Sequence, residues 1–99
     1  GNFHYIGYTF SVTNQEIVMY VDGEVDKTIT ANGNMTALGS GARRYGIVGD
    51  GSEAGSEGST GNGIYYNGDI AIIQFYDGKA FTASEVKQNY NASKGRFGL

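Results

Sequence analysis

Ninety-nine residues with a formal charge of −3 set one small domain as the upper limit and exclude a general affinity for nucleic acid, whose phosphates demand a basic surface. Hydrophobic residues make up 39% of the chain, and eight tyrosines with five phenylalanines supply large apolar areas for a modest core. Seventeen glycines without a single proline or cysteine favour short strands and tight turns over long helices and remove disulfides and thiolate metal sites.

No apolar run approaches the ~20 residues that cross a bilayer, so no membrane partner is expected, and no secretory leader is visible. The chain opens on Gly1 rather than Met, which makes a removed or unrepresented N-terminal segment an expectation. Between Gly78 and Leu99, Lys79, Lys87, Lys94 and Arg96 face only Glu85. That local positive excess reads as a solvated helix and tail.

In chain order, Phe3 to Phe10 (FHYIGYTF) is a predicted strand rich in aromatic and β-branched residues. Phe3 and Tyr5 fall on one side of it; Ile6, Tyr8 and Phe10 fall on the other. Apolar groups on both sides imply cover on both faces. Glu16 to Asp22 (EIVMYVD) is a second strand. Asp22-Gly23 then predicts a two-residue type I′ hairpin, because that turn needs positive φ at both central positions. The chain returns through Glu24 to Thr30, with Val25 and Ile29 expected to point inward.

Ala31 to Arg44 reads as loop, and Tyr45 to Gly49 (YGIVG) as a short apolar strand. Gly49 to Gly63 (GDGSEAGSEGSTGNG) carries too little apolar surface to offset its ordering entropy and reads as a mobile surface loop. Asn67-Gly68 marks another turn before Asp69 to Tyr76 (DIAIIQFY), whose nearly continuous apolar character predicts a buried strand within a sheet. Thr82 and Glu85 then form a capping box, with Phe81 and Val86 as a hydrophobic staple. Val86 and Tyr90 share one helix face, and Gly95 is the expected stop.

These segments resemble, in order, the second half of laminin-G-like domains of the concanavalin A-like lectin/glucanase superfamily. Phe3-His4-Tyr5-Ile6-Gly7-Tyr8-Thr9 is similar to that family's W-H-H-V-A-x-T strand, and Met19-Tyr20-Val21-Asp22-Gly23 to its L-Y-V-D-G hairpin. Tyr45 to Gly49 stands at its short x-I-G strand. Gly68 to Phe81 (GDIAIIQFYDGKAF) resembles G-x-I-D-E-V-R-I-Y-N-R-A-L, and Thr82 to Val86 the following S-x-x-E-I. Asn89 to Leu99 (NYNASKGRFGL) is further similar to the tails of laminin-G-like proteins from tailed phages. The family's acidic pair is replaced by Ala71-Ile72, so any role of those carboxylates is lost.

The resemblance implies an all-β fold: an antiparallel jelly-roll β-sandwich of concanavalin A-like type with a short C-terminal helix. Such domains contain roughly 150 to 200 residues. Residues 1–99 are therefore expected to be the C-terminal portion of one laminin-G-like domain, whose first strands come from the remainder of the same protein or from a partner chain.

The residues offer little chemistry. Glucanases of this superfamily use E-x-D-x-x-E, since retaining cleavage needs two carboxylates about 5 Å apart. Here Glu24-Val25-Asp26 is followed by Ile29 at the place of the second Glu, so no catalytic residue is assigned. His4 is the sole histidine, with no H-x-x-x-H or nucleophile elbow near it. Asp22, Glu24, Asp26, Asp50, Glu53 and Glu57 raise the question of Ca²⁺, but they lack D-x-D-x-D-G spacing, so no metal or other cofactor is expected. Gly39-Ser40-Gly41 and Gly49-Asp50-Gly51 do not match a phosphate cradle. Asn34-Met35-Thr36 and Asn91-Ala92-Ser93 match the N-glycosylation pattern, which is common by chance. Tyr65, Tyr66 and Asn67 form the one candidate ligand site, a glycan contact: a Tyr face covers the apolar side of a pyranose and an amide meets its hydroxyls.

The expected function is that of a non-enzymatic structural or adhesion module of a phage virion (capsid, fibre or tail), contacting other virion proteins or glycans. The alternative is a carbohydrate-binding module of an extracellular protein or glycoside hydrolase.

Overall fold

A computed structural model of the chain describes residues 2–33, 35–36, 48–49 and 65–99. The chain separates into two compact units, Gly1–Ala37 with Tyr76–Leu99, and Leu38–Phe75.

The first unit is a three-stranded antiparallel sheet with a C-terminal helix. Its strands are β1 (Ile6–Ser11), β2 (Glu16–Val21) and β3 (Glu24–Thr30), in the order β1-β2-β3. The Asp22-Gly23 hairpin forms as expected, with φ of 50° and 80° at its two central residues. A second pair, Asn32 and Gly33, adopts φ of 51° and 80° in the segment read from sequence only as loop. Gln15, also at positive φ, holds the chain beyond that turn in place. Its side-chain amide donates to the Val12 and Met35 carbonyls at 2.7 Å each, and its oxygen accepts the Met35 N–H at 2.9 Å.

Pairing between β2 and β3 slips by one residue. Tyr20 stands opposite Val25, but Met19 stands opposite Lys27, so Asp26 has no partner across the ladder. Side chains alternate across a sheet, and one extra residue reverses the alternation beyond it. Val25 therefore shares a face with Tyr20, and Ile29 shares the opposite face with Ile17. The expectation that both point inward is thus corrected: they lie on different faces, and both are exposed.

Helix α1 (Ala83–Ser93) begins as its sequence dictates. Thr82 caps it, its hydroxyl accepting the Glu85 N–H at 3.2 Å while the Glu85 carboxylate accepts the Thr82 N–H at 3.2 Å. The expected stop at Gly95 does not occur there. The helix tightens into a 3₁₀ turn over Lys94–Phe97, and the left-handed residue is Gly98, at φ 71°.

Val18 and Tyr20 on one face of β2 join Val86 of α1 in the core, with Tyr5 and Phe81 packed against them. Tyr20 is 3% exposed and Val86 5%. Tyr90, one turn beyond Val86, sets its ring edge-on to Tyr5 at 5.8 Å. Phe3 meets Phe97 at 6.1 Å. Phe3 and Tyr5 thus turn toward the helical segment, as the pattern of the first strand divides them.

The opposite face of the sheet is open. Ile6, Tyr8 and Phe10 of β1, Val21 of β2 and Ile29 of β3 are all exposed. This corrects the expectation that the first strand is covered on both faces: among the described residues, no layer covers its Ile6–Tyr8–Phe10 side.

In the second unit, the Tyr66 N–H donates to the Gly49 carbonyl at 2.7 Å. The YGIVG strand lies mostly outside the described residues, and Val48 and Gly49 sit in a bend. The glycine-rich loop beyond Gly49 also lies outside the described residues. Asp69 to Tyr76 forms no strand; Ile70, Ile72, Ile73 and Tyr76 are exposed, and Phe75 is 86% exposed. The predicted buried strand is therefore corrected. Apolar residues with high β propensity make a strand only where a neighbouring backbone completes their hydrogen bonds.

The architecture is thus a mixed one, an antiparallel sheet carrying one helix. Among the described residues there is one sheet layer, without the second layer of the expected all-β jelly-roll sandwich.

Candidate functional site

Tyr65, Tyr66 and Asn67 are all exposed, with the two rings 67% and 60% open to solvent. The Tyr66 ring folds back over its own turn. A Cβ on Gly68 would lie 2.7 Å from the Tyr66 hydroxyl, so the tip of the ring lies close to the Gly68 backbone. The three residues remain accessible as an aromatic-and-amide surface.

On the sheet unit, the Asp22 carboxylate joins the hairpin to the segment before β1. Its Oδ1 accepts the Tyr5 N–H at 2.9 Å, its Oδ2 lies 2.9 Å from His4 Nδ1, and the Asp22 N–H donates to the Tyr5 carbonyl at 2.8 Å. The His4 contact, followed by the Tyr5 N–H, holds the Asp22 carboxyl below its usual range. The sole histidine and the hairpin aspartate therefore serve one structural junction. Burial, with a smaller contribution from Tyr76, raises the Tyr5 hydroxyl.

Gly23 of the same turn is buried beneath Tyr90. The Lys87 and Lys94 ammonium groups lie 5.8 and 5.6 Å from the centre of the Tyr90 ring, within cation–π range. Lys87 also pairs with Glu24 at the start of β3. The positive excess of the C-terminal segment is thus partly used in docking the helix onto the hairpin. Glu24, first residue of the E-x-D sequence, is held in that pair, and Asp26 is the residue left over by the strand slip.

A groove of about 320 Å³ opens on the helix side of the sheet, between the far end of the strands and the segment Ala80–Ala83. Its lining includes the polar residues Thr9, Ser11, Asn14, Glu16, Thr28 and Thr82 and the apolar Val18, Tyr20, Val25 and Phe81. β1 and β2 bring Thr9 opposite Val18 and Ser11 opposite Glu16, and the strand slip turns Val25 toward the same face. Sequence reading missed this site because its residues come from four separate segments. The only local sign was the polar residues Thr9 and Ser11 at alternate positions of one strand, with Glu16 at the paired end of the next.

Among the described residues, no group of three or more His, Asp or Glu side chains gathers in a way that could hold a metal ion. Asp50, Glu53 and Glu57 lie outside those residues, as does the first residue of the Asn34-Met35-Thr36 sequon. Among the described residues, no helix is long and apolar enough to cross a membrane.

Comparison with solved structures finds similarity to an S-layer domain-containing protein of Clostridium thermocellum (residues 221–444), with a TM-score of 0.64 and 23% sequence identity. The match covers 91% of this chain but 40% of that one, so the chain spans about two fifths of the structure it resembles. At this identity the likeness is one of fold. No family model and no curated protein matches the sequence.

Proposed function

We propose that this chain is part of a laminin-G-like, jelly-roll β-sandwich that acts as a non-enzymatic structural or adhesion module. Its role is to contact protein neighbours or glycans in the virion of a tailed phage. The observation that carries the reading is the open apolar face of the sheet. Ile6, Tyr8, Phe10, Val21 and Ile29 are exposed there, while the other face is packed by Val86 and Phe81. Sheets with an apolar face bury it against another layer. The partner that fits is a second sheet from the remaining part of the same protein, and the 40% share of the fold-similar chain leaves room for one. The C-terminal run Asn89 to Leu99 supports the phage assignment through its resemblance to phage laminin-G-like tails.

The sole histidine is paired with Asp22, and Glu24 with Lys87. A second reading is a carbohydrate-binding module at a cell surface, extracellular rather than virion-borne. The S-layer name of the fold-similar protein and the accessible Tyr65–Tyr66–Asn67 surface favour it.

Two measurements test these readings. Mass spectrometry of density-purified virions encoded by the source genome is expected to detect peptides of this chain; their absence removes the virion role. The complete reading frame, expressed and compared with residues 1–99, is expected to suppress binding of an apolar dye to the open face. Equal dye binding by both removes the two-layer reading.

A further inference from the structure

The geometry points to the groove beside Ser11 and Glu16 as a binding site for a neutral pyranose unit of a glycan. This inference rests on the glycan-contact side of the proposed function and places that contact on the sheet unit rather than at Tyr66.

The size and chemistry of the groove select the ligand. About 320 Å³ lies at the lower end of the range for small-molecule sites. A pyranose presents hydroxyls around its edge and C–H groups on its faces. The groove brings both kinds of group together: hydroxyl, amide and carboxylate side chains beside Val18, Val25 and Phe81. Ser11 is already oriented, since its oxygen accepts the Asn14 N–H at 3.1 Å, which leaves its own O–H to donate elsewhere. Glu16 is half-buried at the end of β2, and a carboxylate accepting from sugar hydroxyls makes charge-assisted bonds, the stronger class.

Charge disfavours anionic ligands. The lining contains one carboxylate and no Lys, Arg or His, so it repels phosphates and acidic sugars. At the start of α1 the Thr82 and Glu85 side chains already engage one another's backbone N–H groups. Phe81 packs edge-on against Tyr76 at 4.5 Å.

The test uses the complete reading frame that contains residues 1–99 on a printed array of neutral hexose and N-acetylhexosamine oligosaccharides, with sialylated oligosaccharides alongside. Retention on neutral and not on sialylated sugars is expected. Glu16→Gln, Thr28→Ala and Ser11→Phe are each compared with Tyr66→Ala, and the amide spectrum of each variant checks its fold. Glu16→Gln is expected to weaken binding roughly tenfold, and Ser11→Phe to abolish it by filling the groove. Tyr66→Ala is expected to bind as the parent does.

Retention by every groove variant, with loss in Tyr66→Ala, would overturn the groove while leaving glycan contact standing. Failure of the parent to hold any glycan overturns both. Equal retention of sialylated sugars overturns the choice of a neutral ligand. Should Ser11→Phe not fold, the milder Glu16→Gln and Thr28→Ala still decide the matter.

Discussion

Replacing Gly23 by alanine probes the junction between hairpin and helix, because two separate costs meet at one atom. The residue sits at φ 80°, and a Cβ there would lie 2.7 to 2.9 Å from three atoms of Tyr90. The left-handed backbone alone costs a non-glycine residue about 1–2 kcal/mol. Relieving the clash requires Tyr90 to leave its position against Tyr5 and beneath Lys87 and Lys94, and such overpacking costs roughly 1–3 kcal/mol more. The sum is about 2–5 kcal/mol, a large share of the 5–15 kcal/mol typical of a whole small protein. Gly33 provides the control. It has the same φ of 80° but nothing within 4 Å of its hypothetical Cβ, so Gly33→Ala carries the backbone cost alone. Urea unfolding of the two variants, followed by circular dichroism, is expected to separate them by about 1–3 kcal/mol. In a Tyr90→Ala background the Gly23→Ala cost is expected to shrink to that of Gly33→Ala. Equal costs for the two glycines in the parent chain would show that Tyr90 does not rest on this turn, and the docking of α1 onto the hairpin would have to be abandoned.

Other substitutions test the remaining parts of the fold. Thr82→Ala removes the helix cap and is expected to cost about 1 kcal/mol, measured by thermal unfolding. Tyr20→Ala empties the best-buried core position and is expected to cost about 3–5 kcal/mol. Phe10→Ser, at a position 63% exposed, should change stability by well under about 1 kcal/mol while visibly lowering apolar-dye fluorescence. A large destabilisation by Phe10→Ser would mean that the outer face is covered in this chain. Acid stability should respond to Asp22 and Glu85. The His4 contact lowers the first, and the Lys79 bond followed by the Thr82 N–H lowers the second. Carboxylates with lowered folded-state values stabilise fully above their ordinary range of about 4 and lose that contribution as pH falls through the lowered value. A pH series of unfolding curves is expected to show a decline below about pH 4 that is shallower in Asp22→Asn. Identical acid limbs for variant and parent would remove Asp22 from this account.

Local signals determined much of the first unit. The Asp-Gly pair set a hairpin with both central residues at positive φ, because few other residues tolerate that backbone. Thr82 and Glu85 set the helix start, because their side chains reach backbone groups only three residues away. The division of Phe3 and Tyr5 from Ile6, Tyr8 and Phe10 followed from alternation along a strand.

What required distant partners was decided only by the tertiary structure. The unpaired Asp26 reversed the expected facing of Val25 against Ile29, and no local pattern marks such a slip. Asp69 to Tyr76 had the composition of a buried strand but pairs with no strand among the described residues. The groove joins Thr9, Glu16, Thr28 and Phe81 from separate segments. Backbone torsions and caps are governed by near neighbours, so they can be read residue by residue. Burial and strand pairing depend on which other segment arrives, and that is settled only when the chain closes on itself.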